Sequence, residues 1–313
     1  KLDERITKTN TMQIEEIKKF SKEIDSQIFF DYDLKKTNWF NIGGKTKVYF
    51  KVDSLSDLIL FMKRFGLKQK IFTLGAGSNT LISDTIFNGV VIKLGRNFSN
   101  LSILPNNILV AGSACTDKKL SEYALENGLG DLEFLSCIPG TIGGGLRMNA
   151  GCFNQEFKDI LVSIQAIDRL GRVTTIPANA VLFEYRNNNL ADDLIFLSAS
   201  FKGKKKDKNK IKEQINKLKS KKDKSQPTKI KTSGSTFKNP INQTTKKVWE
   251  LIKDSVPLDT RFGDASISNK HCNFFVNENN ASFNDMNKLI KFVMDNVKKK
   301  TGIKLEKEIK ILK

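Results

Sequence analysis

Ile138-Pro139-Gly140-Thr141-Ile142-Gly143-Gly144-Gly145-Leu146-Arg147-Met148-Asn149-Ala150-Gly151 carries five glycines in fourteen residues. Each glycine costs up to about 1 kcal/mol relative to alanine if it lies in a helix or strand, so such a run implies that something approaches the backbone closely. A shorter cluster, Leu74-Gly75-Ala76-Gly77-Ser78-Asn79, follows a predicted strand and precedes Leu81-Ile82-Ser83-Asp84. Glycine tolerates positive φ and has no Cβ, so both runs can present consecutive backbone N–H groups to an anion. Standard phosphate motifs do not account for them. Gly44-Lys45-Thr46 ends like a P-loop, but Trp39 stands where the first glycine is required. Gly75-Ala76-Gly77 has Thr80 at the third glycine position of a dinucleotide fingerprint, and no helix is predicted to open there. Two separated anion nests without a Rossmann helix suit an extended cofactor with a diphosphate in its middle.

Outward from these runs, the N-terminal third alternates helices and strands. Ile14, Ile17, Phe20 and Ile24 predict an amphipathic helix within the first thirty residues. Strands are predicted at 48–52, 70–74, 90–94 and 108–111. One helix starts at a Ser54/Asp57 capping box, and another spans 116–127 and ends at Gly128. The middle is richer in strands, at 160–168, 173–176 and 195–201. Residues 202–231 then hold 14 lysines against Asp207, Glu213 and Asp223, a net +11, with Ile211, Ile215 and Leu218 at helical spacing. This predicts a charged helix leading into a further domain. Helices near 245–254 and 282–300 and strands at 273–276 and 305–312 complete the chain.

The 313 residues suffice for two or three domains of about 100 to 150 each. A formal charge of +19 invites a nucleic-acid reading, but lysine without interleaved aromatics or arginine is poor material for stacking or bidentate readout. The single histidine, His271, excludes multi-histidine metal sites, and no metal is expected. Cys115, Cys137, Cys152 and Cys272 form neither a Cys-x-x-Cys pair nor a disulfide framework, and read as buried thiols of a reducing cytosol. No apolar run is long enough to span a membrane and no signal-peptide core is evident, so a cytoplasmic protein is expected.

Six segments in order make the reading specific. They are the Gly75–Asn79 turn, the Ile138–Gly151 run, Tyr185-Arg186, Gly234-Ser235-Thr236-Phe237-Lys238-Asn239-Pro240, His271-Cys272-Asn273-Phe274 and Leu305-Glu306-Lys307-Glu308-Ile309. Together they resemble the UDP-N-acetylenolpyruvoylglucosamine reductases, also called UDP-N-acetylmuramate dehydrogenases. The likeness runs from Trp39 to Glu308. It implies an α+β fold with an FAD-binding domain of the vanillyl-alcohol-oxidase type in two subdomains, 1–94 and 95–203, and a C-terminal α+β substrate domain, 204–313. It also implies that NADPH reduces a non-covalent FAD, which passes hydride to the enolpyruvyl double bond of a UDP-sugar in peptidoglycan precursor synthesis. A monomer is expected, with small-molecule partners and neither nucleic acid nor membrane.

By the same resemblance Gly75, Ala76, Gly77, Ser78, Asn79, Gly140, Thr141, Ile142, Gly143, Gly144, Asn149, Ala150 and Gly151 bind the cofactor, and Tyr185, Lys238 and Asn239 the substrate. Ser235 is the implied proton donor, with Arg186 and Glu308 stabilising the enolate; Glu308 rather than Glu306 is the match. A guanidinium fork suits a carboxylate, and general-acid help contributes typically ~10² to 10⁴ in rate. His271 reads as structural. Some positions depart from the family pattern. Cys137 replaces a usual glycine, Gly145 a frequent alanine, and Cys152-Phe153-Asn154-Gln155 a tyrosine-glycine sequence. Residues 253–264 lack expected glycines, so no substrate contact is assigned there. The short connection 187–191 resembles the subgroup without an extra tyrosine-bearing lid. The competing enzyme reading is an oxidase of the same fold acting on an alcohol or lactone.

Overall fold

The computed structural model describes residues 14–227 and 230–313. Residues 1–13 of the expected N-terminal helix, and Thr228 and Lys229 of the lysine-rich stretch, lie outside them. Residues 14–20 form helix α1, which buries Ile17 and Phe20. The helix stops there, short of the expected Ile24. Beyond it Ile28, Phe30 and Tyr32 alternate with more exposed residues along strand β1, Gln27–Asp33, the period of two that a strand with one covered face requires.

The first unit continues with β2 (Lys45–Val52), α2 (Leu55–Phe65), β3 (Ile71–Thr73), β4 (Thr80–Ile82) and β5 (Phe87–Leu94). Ser54 Oγ caps α2 by accepting the Asp57 amide, one half of the expected capping box; the Asp57 carboxylate instead accepts the Ser26 amide. Its Leu58, Phe61, Met62 and Phe65 face pack on Val48, Phe50 and Val52. The sheet order is β1-β2-β5-β3; β1 is antiparallel to β2, whereas β2, β5 and β3 run parallel.

The second unit comprises β6 (Leu101–Leu104), β7 (Ile108–Gly112), α3 (Asp117–Glu126), β8 (Leu129–Gly130), a 3-10 turn at Glu133–Cys137, α4 (Ile142–Arg147), β9 (Gly151–Cys152), β10 (Gln155–Glu156), β11 (Leu161–Ile167), β12 (Val173–Pro177), β13 (Ile195–Lys202), β14 (Lys204–Lys205) and α5 (Lys208–Ser225). Five antiparallel strands in the order β12-β11-β13-β7-β6 form its sheet. Helix α5 buries Ile211, Ile215 and Leu218, and Leu218 joins the core of this unit with Phe134 and Phe157. Most of the dense lysines therefore lie on its remaining, solvated faces.

The third unit holds α6 (Val248–Ser255), β15 (Arg261–Phe262), β16 (Ala265–Ile267), β17 (Phe275–Asn277), α7 (Phe283–Thr301) and β18 (Lys310–Leu312). The expected strand at 305–312 is regular only in β18; upstream, Lys307 makes a single bridge to Phe237. β18 leaves its own unit and pairs in parallel with β4, Ile311 opposite Leu81. Phe40, Ile42 and Leu81 complete the core around α6 and α7. Among the described residues, no helix is long and apolar enough to cross a membrane.

Residues 142–147 of the glycine run form a helix that the sequence pattern did not announce. Glycine is a poor helix former, so the pattern concealed the helix. Tertiary contact explains the choice: a Cβ on Gly145 would stand 2.4 Å from Phe157 Cε2, and one on Gly143 3.2 Å from Ser113 Cβ. Phe157 is fully buried between Phe134 and Phe201. Gly145→Ala should therefore destabilise the protein by ~1–3 kcal/mol through overpacking, despite alanine's better helix propensity. Urea unfolding of Gly145→Ala beside Gly145→Ala/Phe157→Leu checks this; a stabilised single variant would refute it.

Candidate active site

The two glycine runs line one cavity of about 640 Å³, within the range of clefts that enclose small ligands. They touch each other: Ser78 Oγ donates to the Pro139 carbonyl at 2.8 Å, and a Cβ on Gly75 would lie 2.7 Å from Thr141 Oγ1. Gly77 adopts φ +68°, and a Cβ there would meet the Thr37 carbonyl at 2.3 Å. The amides of Gly75, Ala76, Gly77 and Ser78 donate to no other group among the described residues. Free, convergent N–H groups on a backbone without side-chain cover can cradle a diphosphate. The residues present thus fit the dinucleotide that the resemblance implies.

Eleven of the thirteen expected cofactor residues line this cavity; Ile142 and Asn149 stand behind its wall. Ile142 is fully buried in the second core and its amide donates to the Cys115 carbonyl at 2.9 Å. Asn149 is fully buried at φ +40°. Its amide group donates to Glu156 Oε2 (3.1 Å) and the Glu184 carbonyl (3.0 Å), while Oδ1 accepts the Lys158 amide (3.1 Å). The polar atoms of Asn149 and the apolar atoms of Ile142 are occupied by protein, so neither side chain faces the cavity.

Several lining residues went unnoticed in the sequence. Lys93 reaches from β5 to donate to the Gly75 carbonyl, and burial lowers its pKa. Its signal was a cation in the otherwise apolar Val90-Val91-Ile92-Lys93-Leu94. Asp117 is fully buried beneath the second run, with neither carboxyl oxygen hydrogen-bonded to a described residue. Burial pushes its pKa up, the direction that favours the neutral carboxyl. Arg147 donates to the carbonyls of Leu190 (3.2 Å), Ala191 (2.9 Å) and Leu194 (2.7 Å) and lies over Phe196. It thereby pins the short connection after Arg186.

At one end of the cavity Arg186, Ser235 and Glu308 come together as lining residues. Arg186 holds φ +58°, a strained value for a side chain with a long stem. Its Nε donates to Glu308 Oε1 at 3.0 Å and its Nη2 to the Gly151 carbonyl at 3.2 Å, with Nη1 3.7 Å from Glu156 Oε1. Tyr185 lies beneath the guanidinium, 4.8 Å from ring centre to Cζ. Burial raises the Glu308 pKa, opposed chiefly by the charge and hydrogen bond of Arg186 and, more weakly, by Lys238.

Backbone contacts set Ser235 in place. Gly234 turns the chain at φ +74°, Ser235 bridges to Phe274, and the Thr236 amide donates to the Asn273 carbonyl at 2.8 Å. The buried Asn273 side chain then receives the Phe237 amide (3.0 Å) and donates to its carbonyl (2.9 Å). Asn273 is a positioning residue that the motif contained without revealing its role. The Glu308 amide donates to the Thr236 carbonyl at 2.8 Å, and Asn79 Nδ2 to the Glu308 carbonyl at 3.1 Å. The serine, the glutamate and the first glycine turn are therefore one hydrogen-bonded assembly.

The expected substrate residues sit beside this end rather than among the lining residues. Asn239 Nδ2 donates to the Tyr185 hydroxyl at 3.3 Å, and Asn239 Oδ1 accepts the Val248 amide at the start of α6 (3.0 Å). Lys238 Nζ lies 3.5 Å from Glu306 Oε2. His271 Nδ1 accepts the Asn273 amide at 3.2 Å and the ring meets Phe274 edge-on, the structural placement expected of it. Among the described residues, no group of three or more His, Cys, Asp or Glu side chains is arranged to hold a metal.

Comparison with known proteins agrees with this geometry. An FAD binding domain model matches residues 46–177, and a model of the UDP-N-acetylenolpyruvoylglucosamine reductase C-terminal domain matches residues 226–312. The UDP-N-acetylenolpyruvoylglucosamine reductase of Pelagibacter ubique is 74% identical over 302 residues, covering 96% of this chain and all of that one. That of Rickettsia typhi is 43% identical over 280 residues, covering 90% and 94%. The crystal structure of the Thermus caldophilus enzyme superposes with a TM-score of 0.78 at 26% identity, over 92% of this chain and 99% of that one. With a glycine-cradled cavity, an Arg-Glu pair and a serine assembled at its end, and relatives matched over nearly their whole length, this chain belongs to the UDP-N-acetylenolpyruvoylglucosamine reductase family.

Proposed function

We propose that the protein reduces the enolpyruvyl group of UDP-N-acetylglucosamine enolpyruvate to give UDP-N-acetylmuramate. The observation that carries this reading is the meeting of Arg186, Glu308 and Ser235 at one end of the cavity lined by both glycine runs. FAD held by the two glycine runs and reduced by NADPH would supply hydride chemistry at the β-carbon of the enolpyruvyl double bond. Negative charge then accumulates on the α-carbon and its carboxylate. Arg186 offers a permanent cation with donors in a planar fork, the geometry a carboxylate accepts. Glu308, its proton affinity raised by burial, can donate a hydrogen bond to the enolate oxygen. Ser235 then delivers its hydroxyl proton to the α-carbon; the carbanion is basic enough for a hydroxyl to serve in a closed site.

Gly75–Asn79, Gly140, Thr141, Gly143, Gly144, Ala150 and Gly151 would hold the dinucleotide through backbone groups. Tyr185, Lys238 and Asn239, adjoining the Arg186 end, would meet the UDP-sugar. In this reading units 1–94 and 95–203 carry the flavin and 204–313 carries the substrate side, with α5 remaining docked on the second unit. The enzyme acts in the cytoplasm as a monomer.

Anaerobic half-reactions test the activity. NADPH should bleach the FAD-loaded protein, and adding the enolpyruvyl UDP-sugar should restore the oxidised flavin spectrum stoichiometrically. Reoxidation by oxygen at a comparable rate, with no response to the sugar, would instead assign an oxidase.

A further inference from the structure

Two departures from the family pattern meet in space. Cys137 ends the 3-10 turn before the second glycine run, and Cys152 in β9 follows that run directly. The two elements pack against one another, and both cysteines line the cavity. Cys152 Sγ donates at 3.3 Å to the carbonyl of Phe134, in the same 3-10 turn as Cys137, and Ser136 Oγ lies 3.7 Å from Cys137 Sγ. The lysine-rich helix α5 adds charge here: Lys222 Nζ donates to the Cys137 carbonyl at 2.7 Å, with Lys219 close by.

We propose that Cys137 and Cys152 are an oxidisable dithiol that hydroperoxides convert to a disulfide closing the base of the glycine run. The surroundings divide the labour between the sulfurs. The Ser136 hydroxyl and the charges of Lys222 and Lys219 favour the thiolate at Cys137 against the opposing effect of burial. Cys152 points its proton at the Phe134 carbonyl and is the thiol that attacks second. The Cys137 thiolate attacks the peroxide O–O bond, giving a sulfenic acid and releasing hydroxide. The Cys152 thiol attacks that sulfur; the S–S bond forms as the S–O bond breaks and water leaves. Two electrons pass from the thiols to the peroxide, and neither flavin nor NADPH takes part.

The bridge would act on turnover because Gly151, beside Cys152, accepts the Arg186 Nη2 hydrogen bond. Only this effect on turnover rests on the proposed activity; the dithiol chemistry does not.

The FAD-loaded protein, treated with a small excess of hydrogen peroxide, should lose two of its four thiols when counted after denaturation. Peptide mapping should find Cys137 joined to Cys152. Turnover should fall and return on adding dithiothreitol. In Cys152→Ser the reaction should halt at a sulfenic acid on Cys137, trapped by dimedone. Four surviving thiols, a bridge to Cys115 or Cys272, or dimedone capture at Cys152 in Cys137→Ser would overturn the dithiol. A mapped bridge with unchanged turnover would overturn the control of activity alone, and no turnover before treatment would count against the proposed reaction while mapping still reads the thiols.

Discussion

Ser235→Ala should leave reduction of the bound flavin by NADPH nearly unchanged while slowing reduction of the enolpyruvyl substrate by ~10² to 10⁴. The separation follows from how the serine is held. Its backbone is fixed by the bridge to Phe274 and by the pairing of Thr236 and Phe237 with Asn273, none of which needs the hydroxyl. Among the described residues that hydroxyl makes no hydrogen bond in the resting site, so its removal leaves no buried partner unsatisfied. The deficit should appear only where a carbanion needs a proton. Stopped-flow measurement of the two half-reactions decides the matter: near-normal oxidation of reduced flavin by substrate would remove Ser235 from the acid role, and equal slowing of both would mean a displaced cofactor.

The second large effect is expected for Arg186→Lys, which keeps the charge and loses the fork. The guanidinium simultaneously meets Glu308, the Gly151 carbonyl, Glu156 and the face of Tyr185; an ammonium cannot reproduce that set. Loss of one preorganised donor to a developing oxyanion typically costs ~10² to 10³ in kcat, and this is the expected loss here. A second readout tests the link to Glu308. Arg186 opposes the burial that raises the Glu308 pKa, so weakening the contact lets it rise further. If Glu308 works protonated, activity falls as pH rises through its pKa, and that falling limb should move to higher pH in Arg186→Lys. A limb that stays put or moves down would sever Glu308 from Arg186 in the mechanism.

Legibility in the sequence followed the range of the interaction responsible. Gly75–Asn79 and Gly140–Gly144 were readable because an exposed backbone demands glycine whatever surrounds it. Helix α2 was readable because Ser54 caps it locally. Strand β1 was obscured by the apolar helix before it, and α4 by glycines whose purpose is Phe157, a residue twelve positions past Gly145. Asp117 was invisible as a site residue, since a carboxyl acquires such a role only from burial and partners far along the chain, and Lys93 left no more than a cation in an apolar strand. The stripe Ile211, Ile215 and Leu218 predicted that α5 buries one face, but not that Phe134 and Phe157 of the flavin side receive it.

The pairing of β18 with β4 imposes an order of events during synthesis. Asn79 and Glu308, joined by a hydrogen bond, are 229 residues apart in the chain. The first glycine turn is translated early, yet the wall it shares with Glu308 closes only after the ribosome has made everything between them. Contacts of such long range form late and slowly. A nascent chain can therefore hold the flavin-side sheets long before it owns a complete catalytic pocket, so chemistry waits on the completed chain.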